Sequence, residues 1–299
     1  MVGIQSVIKP FLTVISTCCP GCPWKTVLVM TNPSPGVIRV EGEVPAGGGQ
    51  VIRTFTVQDP ASFGRTVFIE ALQRAGVWVG AQPVGPNNPS GLPAGMDYKG
   101  DRQVAVLKSP PLSEYVKMIL KVSHNPGADT LLMLIGSKNG GHPQTMADGL
   151  ALEKKFLADK ARVDVSGLIL NDGQGSPGAD YASASAMVQL LRYMSTRPDF
   201  KEYRAALPIL GVDGTLATLL KNSPAAGKAH AKTGTHVSQD GLNQRLIVSR
   251  CLGGYMTTKS GKELVFDVAV SNVGARDMSQ LATVNEKHGR IMEILYEEY

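Results

Sequence analysis

Over the first 57 residues apolar positions come in short runs, Thr26-Val-Leu-Val-Met30 and Val37-Ile-Arg-Val-Glu-Gly-Glu-Val44, separated by Pro/Gly turns at 32–36 and 45–49. Runs of this length between turn residues predict antiparallel β-structure. A further strand is expected after Pro10. The period then changes from two to 3.6. Asp59 before Pro60 supplies a cap and a first-turn proline, and Phe63, Val67, Phe68, Ala71, Leu72 and Ala75 recur at helical spacing until Gly76.

From Gln82 to Gly100 the chain is dense in Pro and Gly with little periodicity, which marks a domain boundary. The expected division is a mostly-β segment over 1–100, with one helix near 60–76, and a second domain over 101–299. In the second part Ser113 starts a helix with Val116, Ile119 and Leu120 on one face. Pro126 discourages its continuation, so Ser123 and Asn125 fall at a helix end or an interhelical turn. Helical spacing resumes over 127–136, 143–160 and 182–195. Strands are then predicted over 228–236, 246–249, 253–258 and 264–271, with Lys259-Ser-Gly-Lys262 as a hairpin turn and a terminal helix from Ser279. An antiparallel sheet with a terminal helix and a helical cluster ahead of it is an α+β layout.

Composition narrows the classes. Charged residues at 18% and hydrophobic ones at 43% argue against disorder, and no stretch approaches the roughly 20 apolar residues of a membrane-spanning helix. The net charge of +5 is spread along the chain without a Lys/Arg run, so nucleic acid is not an expected partner, although an anionic ligand is permitted. Cys18, Cys19 and Cys22 crowd into one turn and Cys251 stands alone, which does not complete a zinc site. No metal or cofactor is expected. The run from Lys9 to Ser16 is too short and too polar for a signal peptide, so this chain carries no convincing export signal.

Three short motifs could carry chemistry. Ser123-x-Asn125 places a hydroxyl and a carboxamide two residues apart, and both can face one cleft only where the backbone leaves regular helix. The same pair would equally suit a helix end whose side chains cap backbone groups. His124 between them has no identifiable carboxylate partner and reads as a turn residue. Ala231-Lys232-Thr233-Gly234-Thr235 lies on a predicted strand. There Lys232 would oppose a carboxylate, Thr233 would hydrogen-bond it, and Gly234 would let a substrate backbone approach the strand edge. Gly211-Val-Asp213-Gly-Thr-Leu216 reads as a fixed loop beside that strand, braced by Asp213.

Ser-x-Asn followed downstream by Lys-Thr-Gly resembles the second and third motifs of penicillin-binding proteins and serine β-lactamases, whose first motif is Ser-x-x-Lys. Longer stretches narrow this. Ser109-Pro-Pro-Leu-Ser-Glu114, Lys121-Val-Ser-His-Asn125, Ala128-Asp-Thr-Leu-Leu132, Asp172-Gly-Gln-Gly175, Ala206-Leu-Pro208 and Gly253-Gly-Tyr255 are similar to the D-alanyl-D-alanine carboxypeptidase/endopeptidase family, the class C low-molecular-weight penicillin-binding proteins. The resemblance reaches back into Gly42–Gly47 and Asp59-Pro-Ala61. It implies a penicillin-binding/β-lactamase-like sheet with flanking helices and a helical subdomain, preceded by part of an inserted β domain. It also implies an acyl-enzyme reaction on peptidoglycan stem peptides, outside the cytoplasmic membrane, with β-lactams as alternative ligands. On that resemblance Ser123 relays a proton to the leaving amine and Asn125 bonds the substrate amide. Lys232 and Thr233 hold the terminal carboxylate, and the N–H of Thr235 is an oxyanion donor.

The first motif departs from the family. Ser6-Val-Ile-Lys9 is the sequence's only Ser-x-x-Lys, and Pro10 follows it directly in a segment that reads as strand. The expectation is therefore a chain beginning inside the inserted domain, with the nucleophile motif absent and apolar surface exposed where its helix would pack. Three readings stay open: a serine carboxypeptidase/endopeptidase, a non-catalytic homologue or fragment that binds stem peptides or β-lactams, and an esterase on the same fold. Oligomeric state is left unassigned.

Overall fold

The computed structural model describes residues 12–14, 27–34, 37–43, 57, 59–85, 90, 105–140, 145–176, 180–239, 241–242, 245–275 and 278–299. Ser6, Lys9, Cys18, Cys19 and Cys22 lie outside the described residues. The chain divides into two compact units, Met1–Val104 and Ala105–Tyr299.

In the first unit β1 (Leu12–Val14), β2 (Val27–Ser34) and β3 (Val37–Glu43) form a sheet of order β1-β3-β2. β2 and β3 pair antiparallel as the turn at 32–36 predicts, but β1 lies parallel to β3. A strand that reaches its partner across an intervening strand is not bound to hairpin geometry, which is why the antiparallel expectation fails there. Helix α1 (Pro60–Arg74) starts where the cap predicts, with Asp59 accepting from the Ser62 N–H at 3.0 Å. Its buried Thr66 hydroxyl donates to the Pro83 carbonyl at 2.6 Å, holding the following connection against the helix.

The second unit runs α2 (Leu112–Val122), α3 (Asn125–Gly140), α4 (Met146–Asp159), α5 (Ala184–Ser195) and α6 (Phe200–Ala206), then a 3₁₀ turn at Gly214–Leu216. Strands β4 (Ala229–Gln239), β5 (Arg245–Thr257) and β6 (Glu263–Ala275) follow, and α7 (Met278–Glu298) ends the chain. The sheet is antiparallel in the order β4-β5-β6. Side chains alternate between its faces. Ala229, Ala231, Leu252, Met256 and Phe266 pack with Met292 of α7 on one face. On the other, Tyr255 packs with Leu191 and Leu207, donates its hydroxyl to the Leu191 carbonyl at 2.7 Å, and meets the ring of Phe200 edge-on at 4.9 Å. Leu157, Ala161, Val163, Leu168 and Ala186 form a separate core between α4 and α5.

Two local readings are corrected. The strands expected at 246–249 and 253–258 are one continuous β5, because the polar Arg250 and the Gly253-Gly254 pair interrupt the apolar pattern without interrupting the ladder. Helix α6 went unpredicted because its seven residues are too few for a period and its stability comes from ring contacts with Tyr255. Leu112 and Val122 on α2 and Met133 and Leu134 on α3 are exposed, an apolar surface on the helical part of this unit. Among the described residues no helix is long and apolar enough to cross a membrane, and no three His, Cys, Asp or Glu side chains are grouped to hold a metal ion.

Candidate active site

Helix α2 ends at Ser123, whose φ of 55° and ψ of 55° are left-handed. The His124 N–H donates back to the Ile119 carbonyl at 3.0 Å and closes the turn. Glycine is the usual residue in such a position, and a side chain there costs about 1–2 kcal/mol. Helix α3 begins at once. Pro126 fits its first turn, where no N–H is required, and His124 Nδ1 accepts from the Gly127 N–H at 3.1 Å. A Cβ on Gly127 would come within 2.7 Å of that ring nitrogen and 2.8 Å of Ile119 Cγ1, so glycine is what lets α3 start so close to α2. His124 is thus a helix cap, as its reading as a turn residue anticipates. Asn125, two residues past Ser123, is exposed as the first residue of α3.

The strain at Ser123 is measurable. Ser123→Gly and Ser123→Ala both delete the hydroxyl, but only glycine tolerates the backbone, so the glycine variant is expected to be the more stable by about 1 kcal/mol in urea unfolding. Equal stabilities would mean that no strain is held at this residue.

Opposite this turn runs β4, an edge strand. Its first half is covered: the Ala231 N–H donates to the Pro208 carbonyl at 2.9 Å and the Leu210 N–H to the Ala229 carbonyl at 2.9 Å. Alternation then turns the N–H and C=O groups of Thr233 and Thr235 outward on the same edge, beyond the covered stretch. Lys232 lies on the face opposite α7. Its Nζ donates to Ser123 Oγ at 2.7 Å and to the Thr233 carbonyl at 2.6 Å. The hydroxyls of Thr233 and Thr215 are 2.9 Å apart. The structure therefore joins Ser123, Lys232 and Thr233 directly and adds Thr215, which no sequence signal beyond its place in the Gly211–Leu216 loop marks out.

That loop is held from beneath. Lys121 Nζ donates to both Asp213 carboxylate oxygens at 2.7 Å and to the Leu207 carbonyl at 2.6 Å, and Asp213 also accepts from the Ile209 N–H at 2.8 Å. Asp213 is the brace the sequence suggests, and Lys121 is the partner that sequence reasoning missed.

Gly234 has a reason in the structure besides substrate approach. It pairs with Cys251 on β5, and a Cβ at 234 would run into the Cys251 sulfur. Thr235 pairs with Arg250, whose guanidinium donates to the Thr235 hydroxyl. Burial holds Lys232 below the ordinary lysine value of 10.5, with Cys251 opposing and Arg250 reinforcing that shift. Burial, ahead of the neighbouring Asp267 carboxylate, pushes the Cys251 thiol upward, which weakens it as a counter-charge to Lys232. Lys232 is therefore a half-buried cation beside another cation, satisfied by a hydroxyl and a carbonyl. An arriving carboxylate would supply the missing negative charge.

The model of the D-Ala-D-Ala carboxypeptidase 3 (S13) family matches residues 17–287. The chain is 32% identical to the D-alanyl-D-alanine carboxypeptidase of Actinomadura sp. (strain R39) over 247 residues, 81% of this chain and 42% of that protein. It is 25% identical to penicillin-sensitive carboxypeptidase A of Dictyostelium discoideum over 254 residues, 83% of this chain and 45% of that protein. It thus spans less than half the length of these curated relatives. In fold it is similar to penicillin binding protein 4 (dacB) of Haemophilus influenzae, solved with a β-lactam, with a TM-score of 0.73 at 20% identity over 98% of this chain and 64% of that one. The penicillin-binding, α+β fold expected from the motifs is therefore present, and the chain belongs to the D-Ala-D-Ala carboxypeptidase 3 (S13) family.

Proposed function

We propose that this chain carries the carboxylate-recognising side of a serine-type D-Ala-D-Ala carboxypeptidase/endopeptidase site that acts on peptidoglycan stem peptides and accepts β-lactams. The observation that carries the reading is the Lys232 ammonium, which among the described residues has no carboxylate partner and is bonded to Ser123 beside the outward-turned edge of β4. A peptide ending in a carboxylate would lie along that edge as an added strand. Its terminal carboxylate would bond Lys232 and Thr233, with Thr215 supporting the Thr233 hydroxyl. Asn125 would bond the substrate amide, Ser123 would pass a proton to the leaving amine, and the Thr235 N–H would face the developing oxyanion. The domain assignment goes with this reading: residues 1–100 as part of the family's inserted domain, residues 101–299 as the penicillin-binding domain. So does a place outside the cytoplasmic membrane, where such peptides lie.

A second reading, binding without turnover, is favoured by one observation. The sequence's only Ser-x-x-Lys, Ser6 to Lys9, is followed directly by Pro10 in a segment whose pattern reads as strand. Titrating an acyl-D-Ala-D-Ala peptide by calorimetry and labelling with a fluorescent penicillin separates the two. Covalent label that survives denaturation, together with peptide binding, is expected for the enzyme. Peptide binding without label would leave the binding module, and loss of both would sink the assignment of the cleft.

A further inference from the structure

We propose that the interface between α7 and β5 is a binding site for a small monatomic anion, a halide, held between the Arg250 guanidinium and the His288 imidazole. The site lies on the opposite face of the sheet from Lys232, and it does not rest on the function proposed above.

Register brings the two side chains together. Leu252 on β5 and Met292 on α7 share one core cluster. Further along, the Lys259 N–H just past β5 donates to the Tyr296 carbonyl at 2.9 Å, so strand and helix run in the same direction. Two residues back from Leu252, Arg250 lies about 6.7 Å along the strand on the same face. Four residues back from Met292, His288 lies about 6 Å along the helix on the same face. Arg250 and His288 therefore come abreast. On β6 the residue paired with Arg250 is Val270, which adds no charge.

Hydrogen bonding shows what this interface accepts. His288 is 2% exposed, and neither of its ring nitrogens has a hydrogen-bond partner. The buried Nε of Arg250 has none either. Folded proteins rarely leave such groups unpaired. A neutral imidazole carries one N–H and one lone pair, so with the guanidinium Nε–H the interface holds two donors and one acceptor. A single acceptor between them satisfies both donors. Charge decides between water and an anion. The Arg250 guanidinium donates to the Thr235 hydroxyl, and among the described residues no carboxylate pairs with it. Burial disfavours its charge, Lys232 on the other face is a second cation, and burial with Arg250 keeps His288 in its neutral form. An anion supplies the missing negative charge and turns both contacts into charge-assisted bonds, which water does not. Size then narrows the class. The enclosure that leaves His288 almost wholly buried admits an ion of about the volume of a water molecule, and excludes sulfate, phosphate and peptide carboxylates.

The test melts the full chain at fixed ionic strength while sodium bromide replaces sodium gluconate, and locates bromide by anomalous diffraction from crystals of the same chain. Tm is expected to rise along a saturating curve, by about 3–6 °C once bromide reaches roughly tenfold its dissociation constant. The anomalous peak is expected between Arg250 Nε and the His288 ring. His288→Leu removes one donor and keeps an apolar side chain. It should lose the bromide response and melt no lower than the parent in gluconate, because an unpaired buried group is removed rather than a bond. Arg250→Gln removes the charge and should lose the response as well. These variants also subtract any general effect of the salt exchange on stability. A Tm indifferent to bromide, an ordered water between the two side chains with bromide on the surface only, or an undiminished response in either variant would each overturn the proposal. The diffraction measurement uses the unsubstituted chain, so a variant that fails to fold cannot mask the result.

Discussion

Gly214→Ala is expected to destabilise the second unit by about 3 kcal/mol and to weaken the cleft with it. Two costs add at this residue. Its φ of 59° is left-handed, where a Cβ is penalised, and that Cβ would come within 2.7 Å of the Lys121 carbonyl oxygen and 3.0 Å of Pro208 Cβ. The carbonyl belongs to the last turn of α2, which cannot yield as the end of a flexible side chain would. Relief requires the 3₁₀ turn to move away from α2. Asp213 and Thr215 flank Gly214, so the same movement strains the bonds of Asp213 to Lys121 and Ile209 and the contact of Thr215 with Thr233. In a domain of this size the loss corresponds to a fall in Tm of roughly 6–12 °C. Gly167→Ala is the control: its Cβ meets nothing within 4 Å and its φ is not positive, so the change should be neutral or slightly stabilising. Calorimetric scans that show both variants melting together would overturn the account of the loop.

What the sequence made legible, and what it did not, follows the range of the interactions. The turn carrying Ser123 and Asn125 was readable because its signals are local: an apolar helical face, then Pro126. The strand bearing Lys232 was readable for the same reason. Lys121 was not, because its partner lies on a loop far along the chain and nothing local ties one charge to the other. Gly234 was assigned to substrate approach, whereas the residue filling the space beside it is Cys251 on the neighbouring strand, a fact that depends on register. The left-handed backbone of Ser123 was also hidden, since serine is not the residue that announces such a conformation. These long-range terms also set the site's electrostatics. The Lys-Thr-Gly motif marks Lys232 as a cation facing a carboxylate, but its partial burial beside Arg250 is a property of the folded sheet.

Lys232→Met should separate recognition from folding. The methionine keeps most of the stem and removes the charge, so binding of an acyl-D-Ala-D-Ala peptide is expected to fall by roughly 10–150-fold, the weight of a charge-assisted hydrogen bond. Stability should behave differently. Lys232 titrates below its unfolded value of 10.5 because burial disfavours its charge. Between the folded and unfolded values the unfolded chain binds more protons, so stability rises with pH across that window. Below it, the charged lysine weighs against the fold. Its removal offsets the loss of the bonds to Ser123 and Thr233, and the variant is expected to melt no lower than the parent at pH 7. The parent's gain in stability on approaching pH 10.5 should also be flattened. Calorimetric titration gives the first quantity and melting curves from pH 7 to 10 give the second. A variant that lost the peptide only because it unfolded would place Lys232 in the fold rather than in recognition. One that stayed folded and still bound the peptide undiminished would remove it from the cleft's chemistry altogether.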